Sequence, residues 1–200
     1  VSRTFKNYLT YNCKTDIIKS IISQIIKEII MKRIGAFVGK FVPPHLGHVE
    51  QIKKCAAKVD ELRVVVAENP IYIADLCAKD NLPLMSGDLR VGWLKDYFKD
   101  YKNIKVLYMD EWGLKQFPEG LNDWSDKFKD IAGHDINVKF ADETYRELNE
   151  KYFPECEFVA FDRTVIPISA TMIRKEPKKY FDYIIPQAQD FFKNIINENK

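Results

Sequence analysis

The sequence predicts an α/β fold, a doubly wound, five-stranded parallel sheet with helices on both faces. Three observations carry this. Five short apolar runs alternate with amphipathic stretches between Arg33 and Phe161. The first run passes through a ten-residue loop, Gly39-Lys40-Phe41-Val42-Pro43-Pro44-His45-Leu46-Gly47-His48, directly into a helical pattern. No internal repeat, low-complexity tract or linker interrupts residues 33 to 185, so 200 residues suffice for one domain with a sizeable core and an appendage.

Taken in order, Ile34 to Val38 reads as the first strand. Pro43 and Pro44 keep the following loop extended. Val49 to Val59 is an amphipathic helix. Glu61 to Ala67, with Leu62-Arg63-Val64-Val65-Val66, is the second strand. Glu68-Asn69-Pro70 to about Gly87 reads as a loop. Asp88 to Tyr101 is a helix with Leu89, Trp93, Leu94 and Phe98 on one side. Ile104 to Met109 is the third strand, and residues 110 to 120 form an irregular link. Leu121 to Ile131 reads as a helix, Asn137 to Phe140 as a short strand, Glu143 to Tyr152 as a helix and Glu157 to Phe161 as the last strand. Parallel sheets bind ligands at the carboxyl ends of their strands, so the loops after strands one, two, three and five should face one cleft.

Residues 1 to 30 differ from the rest. Ile17, Ile18, Ile21, Ile22, Ile25, Ile26, Ile29 and Ile30 recur in pairs every four residues, one apolar face of a helix. Such an extension buries its face on the main domain, another subunit or a membrane surface, packing within the protein being the plainer alternative. Met31-Lys32-Arg33 would make a natural start for the domain of residues 31 to 200, and the extension would then take no part in its chemistry.

Composition narrows the function classes. Hydrophobic residues make up 46% of the chain and charged ones 30%, and the net charge is +2. That describes a soluble globular protein with no broad basic field for nucleic acid. Cys13, Cys55, Cys77 and Cys156 are scattered, and with three histidines they offer no zinc spacing. Reduced thiols and a cytoplasmic location are expected. No apolar run approaches the roughly 18 residues of a membrane span, and charges interrupt any secretory signal. Homo-oligomerisation is left open.

The chemistry gathers at two stretches. In the loop after the first strand, Gly47 lets a ligand approach the backbone. His48 falls in the first turn of the helix, where free N–H groups and the positive dipole end favour an anion. Two imidazoles three positions apart at such a place suggest phosphate chemistry. The second stretch leaves the last strand as Asp162-Arg163-Thr164-Val165-Ile166-Pro167 and continues Ile168-Ser169-Ala170-Thr171-Met172-Ile173-Arg174. Ser169 and Thr171 suit a helix start. Arg163 and Arg174 supply permanently charged, bidentate forks of the kind phosphate prefers. Each stretch alone also has a plain explanation, surface histidines in one case and a helix cap in the other.

Together they carry a resemblance. His-x-Gly-His is the signature of the nucleotidylyltransferase superfamily, and its pairing with I-S-x-T-x-x-R is similar to nicotinamide mononucleotide and phosphopantetheine adenylyltransferases. Gly39-Lys40-Phe41-x-Pro43-x-His45-x-Gly47-His48 resembles the NadR-type nicotinamide mononucleotide adenylyltransferases. So do Val59-Asp60-Glu61-Leu62, the Arg90-x-x-Trp93-Leu94 helix, Pro118 to Trp124 with Asp123-Trp124-Ser125, and Tyr183-Ile184-Ile185-Pro186. The resemblance covers about residues 33 to 195. It departs at Ala141-Asp142-Glu143, where the family has Ser-Glu-Glu. The kinase domain of larger members is not expected, since no G-x-x-x-x-G-K-[ST] loop occurs, and residues 1 to 30 are too short for their repressor domain.

The resemblance implies a Rossmann-like nucleotidylyltransferase fold and a reaction of nicotinamide mononucleotide with ATP that yields NAD and pyrophosphate. It implies His45, His48 and Arg174 as catalytic residues. Gly39, Lys40, Phe41, Gly47, Arg163, Ile168, Ser169 and Thr171 would bind ATP phosphates, with Mg2+ arriving on the nucleotide. Trp124, Arg90 and Asn69 would bind the mononucleotide, Trp124 by stacking on the ring. An acceptor other than nicotinamide mononucleotide, CTP in place of ATP, or a non-catalytic NAD or ATP sensor are the competing readings. His134, beside Gly133, reads as a surface histidine.

Overall fold

A computed structural model describes residues 31–115, 117–161 and 166–198. The expected helical extension at residues 1 to 30 lies outside the described residues. Arg33–Lys200 forms one compact unit.

Five strands make one sheet: β1 (Ile34–Gly39), β2 (Glu61–Glu68), β3 (Ile104–Asp110), β4 (Val138–Ala141) and β5 (Glu157–Ala160). Their order is β3-β2-β1-β4-β5, and every pairing is parallel. The helices are α1 (Leu46–Ala56), α2 (Pro70–Lys79), α3 (Gly87–Phe98), α4 (Leu121–Ala132), α5 (Arg146–Tyr152), α6 (Ala170–Lys175) and α7 (Pro186–Glu198). Strand order reverses between β1 and β4, so the loop after β1 opens at the crevice where such sheets take ligands.

Side-chain alternation explains the two cores. On one face, Phe37, Leu62, Val64, Val66, Val138 and Phe140 pack with Val49 and Ile52 of α1, Leu94 and Phe98 of α3 and Phe192 of α7. On the other, Ile34, Ala36, Val65 and Ala67 meet Phe128 and Ala132 of α4 and Phe153. Burial on both sides is why the centre of β2, Val64 to Ala67, is a continuous apolar run.

The five strands, their parallel arrangement and most helices agree with the sequence expectation. The stretch expected as a loop after β2 differs, because it contains α2. Pro70 occupies its first turn, where a missing N–H costs nothing, and the Asn69 side chain accepts from the N–H of Tyr72 at 3.0 Å. Exposed Ile71 and Tyr72 blur the helical period there, since only Ile73 and Cys77 are buried. The segment expected as one helix from Glu143 splits into a 3-10 turn, Glu143–Tyr145, and α5. The closing helix α7 inserts Ala188, Phe192 and Ile195 and sets Phe191 edge-on against Trp93. Trp93 is therefore a core residue.

Candidate functional site

The loop after β1 is shaped by Phe41. Its φ is 52°, a left-handed conformation uncommon for a bulky residue, and its ring is buried. The ring lies over Gly39, where a Cβ would come within 2.9 Å of it. The Val42–Pro43 peptide is cis.

His45 ends the loop as the N-cap of α1. Its Nδ1 accepts from the main-chain N–H of His48 at 3.3 Å. That bond leaves Nε2 to carry the proton of the neutral ring. Burial lowers the His45 pKa to about 4, so the ring is neutral near pH 7. The His48 ring stacks on it at 3.6 Å with 22° between planes, and the edge of Phe41 closes the other contact at 5.0 Å. His48 itself is half-buried at the start of α1.

The second stretch is brought against this loop. A Cβ at Gly47 would lie 3.1 Å from Ile168 Cγ2 and 3.0 Å from His45 Nδ1, so a larger residue would have to push these side chains aside. Ser169 caps α6 by accepting from the N–H of Met172 at 3.2 Å. Arg174 donates through Nη1 to the Val42 carbonyl at 2.7 Å, through Nε to Asp80 at 2.7 Å and through Nη2 to Thr171 Oγ1 at 3.2 Å. A bridge between His45 and Ile184 adds a further tie. The guanidinium of Arg174, expected to reach substrate, is buried and engaged by the protein at all three nitrogens, which makes it a brace between the two stretches. Arg163 lies outside the described residues.

Beside the loop opens a cavity of about 640 Å³. Gly39, Lys40, Asn69, Trp124 and Lys139 are among its walls. Lys40 holds its Nζ 5.0 Å over the Tyr72 ring. Asn69 uses its side chain to cap α2, so one expected ligand contact doubles as a helix cap. Trp124 stacks on Phe128 at 5.2 Å and donates its indole N–H to Glu111 at 2.7 Å.

Arg90 corrects an expectation. Proposed from sequence to touch the mononucleotide, it is fully buried. Its Nη2 donates to Glu68 at 2.8 Å, its Nε to the carbonyl of Met85 at 2.8 Å, and its Nη1 to the Lys40 carbonyl. Tyr108 completes the cluster by donating to the other Glu68 oxygen at 2.7 Å. Arg90 thus fixes the loop from below, with its pKa lowered by burial against the pull of Glu68. Gly87 is required here, since a Cβ would fall 2.2 Å from the Glu68 carboxylate.

Three residues of this region escape the sequence reading. Glu111 and Glu68 look like ordinary strand-end acids. Lys139 carries a visible signal, a lysine within a strand that the sheet covers on both faces. His134 is exposed and lies 3.0 Å from Asp130, the surface histidine expected. Among the described residues, no group of three or more His, Cys, Asp or Glu side chains could hold a metal ion, and no helix is long and apolar enough to cross a membrane.

A doubly wound parallel sheet, with stacked imidazoles at the helix start beyond its first strand and a cavity at its switch point, defines a nucleotide-binding α/β protein. Residues 36–176 match the Cytidylyltransferase-like family, and the chain belongs to it. It is 31% identical over 166 residues to the trifunctional NAD biosynthesis/regulator protein NadR of Salmonella typhimurium, covering 79% of this chain and 40% of that one. It is 29% identical over 152 residues to the phosphopantetheine adenylyltransferase of Dictyoglomus turgidum, covering 71% and 82%. Crystal structures of NadR, one in complex with NR and one with NAD and AMP-PNP, superpose with TM-scores of 0.65 and 0.63 at 29% identity. They cover 80% of this chain and 45% and 46% of theirs. The chain thus spans less than half the length of the NadR proteins it matches.

Proposed function

We propose that this chain transfers the adenylyl group of ATP to a pyridine mononucleotide, nicotinamide mononucleotide by resemblance, giving NAD and pyrophosphate. The observation that carries the reading is the tie between the two motif stretches, Arg174 to Val42 and Ile168 against Gly47, beside a cavity walled by Lys40 and Trp124. The NadR and phosphopantetheine adenylyltransferase relatives support adenylyl transfer as the class.

The acceptor's phosphate monoester is largely ionised near neutral pH, with a second pKa of about 6. No general base is needed. An oxygen of that phosphate attacks the α-phosphorus of ATP. The bond from the α-phosphorus to the bridging oxygen breaks, and pyrophosphate leaves with the electron pair. Catalysis then consists of holding anions together and stabilising charge at the α-phosphate. His48 donates to the α-phosphate. His45, neutral and protonated on Nε2, donates beside it without adding charge. Lys40 and the N–H groups around Phe41 receive phosphate, Gly39 and Gly47 give the backbone room, and Ser169 and Thr171 offer hydroxyls to the leaving end. Arg163 is assigned to that end as well. Magnesium would arrive with the nucleotide, held by its phosphates rather than by a protein cage, and would neutralise part of the triphosphate charge. Trp124, braced by Glu111, stacks on the pyridine ring, and Asn69 lies at the cavity edge.

The test is pyrophosphate release measured with ATP and CTP against nicotinamide mononucleotide, nicotinate mononucleotide, phosphopantetheine and glycerol phosphate. Release with ATP and a pyridine mononucleotide is expected. Release only with phosphopantetheine moves the assignment to the other relative, and none with any pair leaves a sensor.

A further inference from the structure

We propose that Asn149 reads the acceptor by taking a hydrogen bond from its ring carboxamide, so that a ring substituent without an N–H is rejected whatever its charge. This rests on the pyridine mononucleotide reading above and names the residue that makes the choice.

Asn149 lies on α5 and is only 8% exposed, yet it lines the cavity. Its Nδ2 donates to the Tyr145 carbonyl at 2.8 Å. A carbonyl oxygen only accepts, so the amide nitrogen faces Tyr145 and Oδ1 is turned away from it. Among the described residues, nothing donates to Oδ1. The oxygen is not sealed inside the protein, and the surface it keeps belongs to the cavity. The fold thus uses one half of this amide and leaves the other, an acceptor, for a ligand.

The connectivity sets Asn149 across from Trp124. Helix α4 links β3 to β4 and α5 links β4 to β5, all parallel, so both helices run away from the carboxyl ends of the strands. Phe128 follows Trp124 by one turn on α4. Phe153 follows Asn149 by one turn, its N–H bonded to the Asn149 carbonyl at 2.8 Å. Phe128 and Phe153 meet edge to face with centroids 5.4 Å apart. Trp124 and Asn149 therefore each stand about one turn above that contact, on the two walls of the cavity and nearer the carboxyl ends of the strands. Phe128 stacks on one face of the indole, which leaves the other for a pyridine ring. The Lys139 ammonium is turned to the Phe128 and Phe153 rings, at 3.7 and 4.6 Å from their centres, so the wall at Asn149 presents an acceptor rather than a cation.

The chemistry of selection follows from the acceptor oxygen. A carboxamide has an N–H to give, and a carboxylate or a ketone has none. A carboxylate at Oδ1 sets two acceptors against each other. A ketone leaves Oδ1 covered by the ligand and without a partner. A site built to bond a substrate N–H rejects analogues that lack it, because its own polar group is then stranded. Loss of the N–H is the criterion, so a neutral ketone is the discriminating probe.

The full chain is assayed with ATP against nicotinamide mononucleotide, nicotinate mononucleotide and 3-acetylpyridine mononucleotide, a neutral ring ketone of similar shape. Parental protein is expected to show a kcat/KM about tenfold or more higher with the amide than with either analogue. Asn149→Leu is expected to lower kcat/KM for the amide about tenfold, to leave that for the ketone within about threefold, and to leave KM for ATP unchanged. Equal parental kcat/KM for amide and ketone overturns the proposal without any variant, so poor folding of Asn149→Leu does not shield it. Equal losses for amide and ketone in the variant would make Asn149 a packing residue and overturn it as well. Turnover of phosphopantetheine with no pyridine mononucleotide would instead sink the underlying reading.

Discussion

Arg174 donates to the carbonyl of Val42 at 2.7 Å across 132 positions of sequence. The same guanidinium pairs with Asp80 and holds the Thr171 hydroxyl, so one side chain sets the loop of His45 and His48 against the Ile168 segment. Arg174→Met would strand Asp80, whose side chain is 10% exposed, without its cation. Breaking a buried pair from one side costs about 3–5 kcal/mol. Urea unfolding should show a loss of that order. Arg174→Lys should recover part of the stability and little of the turnover, because an ammonium cannot match the planar fork.

His48→Ala tests the transition-state donor. Removing a donor aimed at developing charge typically costs a factor of about 100 to 1,000 in turnover. Single-turnover adenylyl transfer should fall by that much, with ATP binding changed far less. Near-parental turnover would remove His48 from the mechanism.

His45 makes stability depend on pH in a defined direction. Its folded pKa of about 4 lies below the ordinary value of 6.5, so the unfolded chain protonates first as pH falls. The contribution is whole above about pH 6.5 and is lost progressively down to pH 4, about 3 kcal/mol in all. Asparagine caps helices well and does not titrate here. The stability difference between parental protein and His45→Asn should therefore shrink or invert across that window. A difference independent of pH would mean that the imidazole is hydrated in the folded state.

The sheet was legible because burial on both faces leaves an unmistakable apolar run, as in Val64-Val65-Val66. Both motif stretches were legible because glycine, proline and histidine at close spacing have few structural uses. The internal roles of arginine were not. Arg90 and Arg174 have the residue type of phosphate ligands, and only their burial reveals that they hold the loop from within. Helix α2 was hidden by Pro70, which reads as a breaker until Asn69 is seen to cap it. Lys139 is visible in sequence as a lysine within a buried strand, but its aromatic surroundings are not, because Phe128 and Phe153 reach it from two distant segments.

Trp124 has two partners that separate its roles. Glu111 fixes the indole N–H, and Phe128 supports one ring face. Trp124→Ala should raise KM for the mononucleotide well above any change in KM for ATP. Glu111→Gln still accepts a hydrogen bond and should have a smaller effect, about threefold or less. Equal changes for both substrates would make the tryptophan a packing residue.

Arg90 provides the contrast to a ligand-binding arginine. Its contacts are Glu68, Met85, Ser86 and Lys40, all protein. Arg90→Gln leaves the Glu68 carboxylate buried and short of its cation, so a loss of about 3–5 kcal/mol is expected. Tyr108→Phe removes a single bond to the same carboxylate and should cost about 1–3 kcal/mol. Contacting residues are not additive, and Arg90→Gln/Tyr108→Phe should lose less than the sum of the two. The kinetic sign is distinctive as well. Arg90 holds the Lys40 carbonyl while the Lys40 ammonium remains at the cavity. Loss of Arg90 should therefore lower kcat through a displaced loop, whereas Lys40→Ala should raise KM with stability nearly unchanged. Thermal unfolding and steady-state kinetics on the two variants give opposite patterns if the arginine is a strut and the lysine a ligand, and matching patterns would refute that division.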